Sequence, residues 1–250
     1  MLTKAQAENE YEIMYKIVQP LARRILNHKH DGSVTQIVDC NLTLNPNDWK
    51  LNLGNGIRTT KEDYVRHELD WYRSHDLYIN GHAGIENNKI WRECASVEGH
   101  VNSNYGYLVF SPFNNAQFQH ALEEMHLDKY TRRAAIIYTR PEIVTEQNDG
   151  YHARRDFICT YATSFLVQDD ELHMQVHMRS NDFTYGFFND FAWQCYVYNT
   201  FYDRIKSHHV LSRGKIHWHA DSMHVYERDY ELIKQLDEYY RTHKGGTRRE

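Results

Sequence analysis

Apolar residues recur along the chain with two periods, one near 3.6 and one of 2, and the changes between them mark out the elements. Tyr11, Met14, Tyr15, Val18, Leu21 and Ile25 fall at helical spacing, which predicts a helix over residues 3–27 with Thr3 as N-cap. Pro20 lies inside it and lacks a backbone N–H, so a kink or division is expected there. Residues 34–44 (VTQIVDCNLTL) read as a strand, and the Asn- and Gly-rich run 45–59 as an irregular loop. Residues 60–74 (TKEDYVRHELDWYRS) predict a second helix, with Thr60 as cap and Asp63 in the capping-box position.

Beyond a polar connection and Lys89-Ile90-Trp91, the Asn and Gly of NSNYGY (102–107) predict a tight turn beside a site. Residues 114–126 are expected to be helical. The unbroken apolar run AAIIYT (134–139) predicts a strand buried on both faces. Residues 157–167 and 172–178 predict a hairpin across Gln168-Asp169-Asp170-Glu171, with Cys159 on its first strand. Residues 189–206 form the most apolar helical stretch, followed by a strand over 215–226 and a closing helix over 230–241. No internal repeat, low-complexity tract or linker divides the chain, so a single α+β domain over residues 1–250 is expected.

Composition narrows the picture. With 41% apolar residues over 250 positions the chain can bury a sizeable core, and 14% aromatic content argues against disorder. A formal charge of −5 and a pI near 6.4 leave no polycationic surface for polymeric nucleic acid. The four cysteines (Cys40, Cys94, Cys159, Cys195) stand far apart with no CxxC pair, which disfavours a disulfide framework or structural zinc and fits a reducing cytoplasm. No apolar run reaches the roughly 20 residues of a membrane span, and the charged N-terminus lacks a signal-peptide core.

Several side chains suit chemistry, and each has an ordinary alternative. Cys159 is a potential thiolate nucleophile, though a lone strand cysteine is commonly a small buried hydrophobe. Arg132, Arg133, Arg179 and Ser180 suit a phosphate, since guanidinium forks bind its oxygens bidentately, though arginines also make plain surface ion pairs. Arg179 ends a strand before a polar turn, which sets it apart. Glu68 alone reads as an exposed helix carboxylate. His217 and His219 share one strand face and His224 falls on the other, without the spacing of a metal site, so no metal is expected.

Taken in order, the segments HELDWY (67–72), KIWRECAS (89–96), NSNYGY (102–107), TRRAAIIYTRP (131–141), DFICT (156–160), MRSNDFTYGFFNDFAW (178–193) and SMHVYERDY (222–230) resemble the thymidylate synthase family, within it the phage deoxycytidylate hydroxymethylases. The first 60 residues match poorly. The resemblance implies a mixed β-sheet with surrounding helices, a homodimer packed through that sheet, and one cleft shared by a pyrimidine nucleoside monophosphate and methylenetetrahydrofolate. By position it implies Cys159 as nucleophile and Arg179 with Ser180 as phosphate ligands, Arg132 and Arg133 reaching across the dimer. His224 and Tyr226 then hold the sugar 3′-hydroxyl, Glu68 organises proton transfer, Tyr105 lies near the base, and Trp91 and Asp182 lie near the folate.

The chemistry agrees with those roles. Thiolate addition at C6 turns C5 of a pyrimidine into a nucleophile for a one-carbon unit, and nearby arginines are expected to favour the Cys159 thiolate. At the position of Asp190, uracil-specific relatives carry asparagine. A carboxyl group matches the amino group and unprotonated N3 of cytosine instead, although an Asp here also suits a helix cap. The implied activity is hydroxymethylation of dCMP; a dCMP methylase, a CMP-specific enzyme and an inactive nucleotide-binding dimer remain alternatives. Cys94 replaces a tryptophan common in synthases, Thr160 a histidine, and the tail GGTRRE lacks their apolar ending.

Overall fold

The computed structural model describes residues 2–147 and 149–243; the GGTRRE tail lies outside them. The N-terminal helix is continuous but changes pitch. Lys4–Ile13 (α1) passes through a π-helical turn, Met14–Val18, into Gln19–Leu26 (α2). Thr3 caps it in a reciprocal capping box with Gln6. Pro20 sits in the first turn of α2, so the wider π turn absorbs its missing donor and divides the helix.

The strand Val34–Leu44 (β1) has the predicted limits, and the following loop contains a two-rung ribbon, Asn52–Leu53 (β2) with Arg58–Thr59 (β3). The second helix is Glu62–Ser74 (α3), and Thr60 is not its cap. The Thr60 hydroxyl accepts from Leu51 N at 2.9 Å and closes the ribbon. Short helices Lys89–Cys94 (α4) and Tyr105–Phe110 (α5) come next, the expected turn at NSNYGY being an Asn104-capped helix start. Then follow Gln117–Leu127 (α6), the strand Ala135–Ile137 (β4) and Ile143–Glu146 (α7). β4 is an edge strand that alternates. Ala134, Ile136 and Tyr138 are buried while Ala135 and Ile137 are exposed, so the apolar run is not buried on both faces.

Thr160–Gln168 (β5) and Glu171–Met178 (β6) form the hairpin, with Asp169 and Asp170 both in the left-handed region (φ 51° and 59°), as a type I′ turn requires. Asn181–Asp182 (β7), the 20-residue helix Gly186–Ile205 (α8), Ser212–Tyr226 (β8) and Tyr230–His243 (α9) complete the chain. The sheet runs β1-β8-β6-β5-β4, with β7 also paired to β8. β6 and β7 lie parallel to β8 and the other pairs are antiparallel, as expected of a mixed α+β sheet. α8 is the parallel crossover. Phe187, Phe191 and Phe201 on it pack on Trp218 and Phe165 of the sheet, and burial of these rings stabilises the crossover. His217 and His219 lie on the opposite, partly exposed face. Among the described residues no helix is long and apolar enough to cross a membrane.

β6 and β7 pair with successive stretches of β8, Met178 opposite Ala220 and Asn181 opposite Met223. The break between them falls at Arg179 and Ser180. This interruption turns the Arg179 side chain onto the segment that precedes β5.

Candidate active site

A cleft of about 440 Å³ opens where α3, α4, α5, the segment before β5 and the start of α8 meet. Glu68, Trp91, Tyr105, Cys159, Arg179 and Asp190, distant in sequence, all line it.

Cys159 lies just before β5 rather than on it. Arg179 explains the boundary. Its Nε donates to Ile158 O at 2.9 Å and its Nη2 to Phe157 O at 2.6 Å, taking carbonyls that a longer strand would use. Nη2 also lies 3.8 Å from Cys159 Sγ. Burial nevertheless pushes the Cys159 thiol up to about 11, Asp190 adding to the shift and Arg179 only opposing it. Arg179 favours the Cys159 thiolate, as expected of a nearby arginine, but desolvation outweighs the one guanidinium at contact distance.

Glu68 is 6% exposed, not the surface carboxylate its sequence suggests. It faces inward from α3, and Tyr64, one turn earlier, donates to its Oε1 at 2.9 Å. Trp91 Nε1 donates to the Tyr64 hydroxyl at 2.8 Å. Burial lifts the Glu68 carboxyl to about 7, while the bonds from Tyr64 and Trp91 hold it down. Asp190 lies in the second turn of α8, which begins at Gly186, so it is no helix cap. Its Oδ2 accepts from Asn181 Nδ2 at 2.8 Å. Burial first, then the Glu68 charge, push its carboxyl well above the usual range. Tyr105 opens α5, and its hydroxyl accepts from Thr160 N at 3.3 Å.

Other expected residues are elsewhere. Arg132 and Arg133 line a separate depression with Asp128 and Tyr130, and Arg133 pairs with Glu124 at 2.7 Å. Ser180, Asp182, His224 and Tyr226 are not among the cleft-lining residues, although Ser180 adjoins Arg179. Asp182 accepts from Thr184 N at 2.8 Å and pairs in register with His224, whose ring lies 5.4 Å from that of Tyr226. Among the described residues no three His, Cys, Asp or Glu side chains form a metal-ligand set.

Five residues that sequence reasoning passed over matter here. Tyr64 and Asn181 position the two carboxyls. Asp156 accepts from Asn102 N and Ser103 N, both at 2.6 Å, and so ties the Cys159 segment to the start of α5. Arg58 and Arg155 add cations to the lining, Arg58 through bonds from Nε (2.9 Å) and Nη2 (2.6 Å) to Thr184 O. The i, i+4 spacing of Tyr64 and Glu68 was a usable signal; the other contacts are long-range and left none.

The cleft thus gathers a cysteine, an arginine and two carboxyl groups, and comparison with known proteins identifies the family. A family model described as thymidylate synthase matches residues 19–243, and the chain belongs to that family. In particular it is similar to the deoxycytidylate 5-hydroxymethyltransferase of Enterobacteria phage T4, 37% identical over 185 residues and 72% of each chain. The protein of the same name from phage T2 is 38% identical over 176 residues, 69% of this chain and 70% of that one. A deoxyuridylate hydroxymethyltransferase of Bacillus phage SP01 matches at 26% over 122 residues, 49% of this chain and 30% of the relative.

Proposed function

We propose that the protein transfers a one-carbon unit from methylenetetrahydrofolate to C5 of dCMP, through a covalent bond from Cys159 to C6, giving 5-hydroxymethyl-dCMP. The observation that carries this reading is the half-buried Asp190 carboxyl, held by Asn181 in the same cleft as the Cys159 thiol. Asn181 donates to Oδ2, so a proton on Asp190 belongs on Oδ1. Such a neutral acid donates from Oδ1 to the bare N3 of cytosine and accepts at Oδ2 from its amino group. Uracil presents N3–H and O4 instead, setting donor against donor and acceptor against acceptor.

The remaining residues divide the work. Arg179 and Ser180 stand at the strand break to meet the phosphate, and Arg179 also faces the sulfur that must lose its proton. Glu68, poised near 7, exchanges protons at neutral pH, with Tyr105 as the neutral hydroxyl near the base. Ile90, half-exposed, and Trp91 form an apolar wall that fits a flat heterocycle, and they would hold the folate. Bound there, methylenetetrahydrofolate supplies the carbon at the oxidation level of formaldehyde. Asp182 is the further contact we assign to it, from its place beside the cleft-lining Tyr185 and Gly186. His224 and Tyr226 are assigned to the sugar 3′-hydroxyl.

The site functions as a homodimer in this reading, with Arg132 and Arg133 entering the partner's cleft. Their position away from their own cleft and the exposed Val38, Ile137 and Tyr161 of sheet strands or their neighbours support it. The test is turnover of dCMP with methylenetetrahydrofolate, followed by product mass and absorbance. A gain of one CH₂O unit without dihydrofolate is expected. A gain of CH₂ with dihydrofolate would make the protein a methylase, and no product would remove the proposal.

A further inference from the structure

Hydrogen-bond direction around Tyr64 has a consequence for Glu68. An indole N–H donates and cannot accept. At 2.8 Å from Trp91 Nε1 the Tyr64 oxygen is therefore the acceptor, and its single proton must go elsewhere. Glu68 Oε1, 2.9 Å away, receives it. Oε1 is thus held as an acceptor, and the oxygen left to take up a proton is Oε2. We infer that Tyr64 is a positioning residue that fixes which Glu68 oxygen carries the exchangeable proton, and that Trp91 on the folate-facing wall enforces its orientation. The inference rests on the proposed function for the use of that proton, but the proton's location does not depend on it.

The surroundings of Glu68 leave Tyr64 as its main anionic-form stabiliser. Tyr64 and Tyr72 lie on its own helix, Trp91 comes from α4, Tyr105 stacks on Tyr72 from α5 at 5.4 Å, and Asp190 faces it from α8. A charged Asp190 would disfavour the Glu68 anion, whereas Tyr64 and Trp91 are the donors that favour it. Asn181 plays the corresponding part for Asp190. Tyr64 thus fixes Oε1 of Glu68 and Asn181 fixes Oδ2 of Asp190, which leaves the second oxygen of each carboxyl for proton exchange.

The test is an infrared titration of the Glu68 carboxyl in the free protein, taken as the difference from Glu68→Gln, in wild type and Tyr64→Phe. Removing the donor is expected to raise the inflection by about one pH unit. The pH profile of kcat/KM for dCMP should move by the same amount while KM changes little. Trp91→Phe, which keeps the ring and loses the N–H, should shift the inflection in the same direction by less. A 3,5-difluorotyrosine at position 64, a stronger donor of nearly the same size, should lower it, so the idea stays testable if the Phe variant folds poorly. A Tyr64→Phe titration that superimposes on wild type would overturn the inference. A shifted titration in a protein that never turns over dCMP would keep it and sink the proposed function instead.

Discussion

Cys159 Sγ lies 3.8 Å from Arg179 Nη2, and the same guanidinium holds the carbonyls of Phe157 and Ile158. One side chain therefore places the nucleophile and opposes its desolvation. Arg179→Ala should slow alkylation of Cys159 by iodoacetamide about tenfold near neutral pH, since an opposite charge at contact distance is worth roughly one pKa unit or more. Arg179→Lys keeps the charge but cannot bind two carbonyls, so it should recover only part of the rate. An unchanged rate in Arg179→Ala would show that the guanidinium does not act on the thiol.

Asp190→Asn replaces an acid with an amide against the base edge. The kcat/KM for dCMP should fall on the order of a hundredfold or more, and dUMP should become the better substrate. Asn181→Ala should weaken dCMP selectivity in the same direction and by less, because it frees Asp190 without changing its chemistry. Initial rates with the two nucleotides in competition measure both.

Buried acids set a pH dependence of stability whose sign can be worked out. Burial raises the Glu68 carboxyl from 4.5 to about 7 in the folded protein. Its contribution to stability is complete below 4.5 and is lost as pH rises through 7. Glu68→Gln removes that loss. The variant should gain on wild type between about pH 5 and pH 8, by roughly 1–3 kcal/mol, in paired denaturant unfolding curves. Histidine contributions cancel in the difference. A gap that stays constant with pH would show that Glu68 titrates normally.

Gly106 sits where α5 touches α3. A Cβ there would fall 1.7 Å from Tyr72 O, so alanine must push the helices apart. Gly106→Ala should destabilise the protein by about 3 kcal/mol and lower activity by displacing Tyr105. Thermal unfolding with a parallel assay checks both effects.

How much of this was legible in the sequence varied with the range of the forces involved. β1 has its predicted ends because alternation and turn residues set them locally. β5 starts later than its apolar pattern suggests, because Arg179, about twenty residues away, takes the carbonyls of residues 157 and 158. α8 starts earlier, at Gly186, because Phe187 and Phe188 find burial that a local pattern does not reveal. The membership of Cys159, Arg179, Glu68, Tyr105, Trp91 and Asp190 in one cleft was implied by the order of motifs, and the structure brings them together. Their protonation was not legible, since it depends on burial. Thr60 is the converse case: it has a cap's identity and position but finds a better partner in Leu51 N.

The central claim is that the Cys159 sulfur adds to a cytosine that Asp190 has recognised. Addition at C6 loosens the C5 hydrogen, so release of tritium from C5-tritiated nucleotide reports the step directly. Wild-type protein should release tritium from dCMP far faster than from dUMP, and Cys159→Ser should release none. Release that survives the loss of the sulfur, or that favours dUMP, would contradict the account.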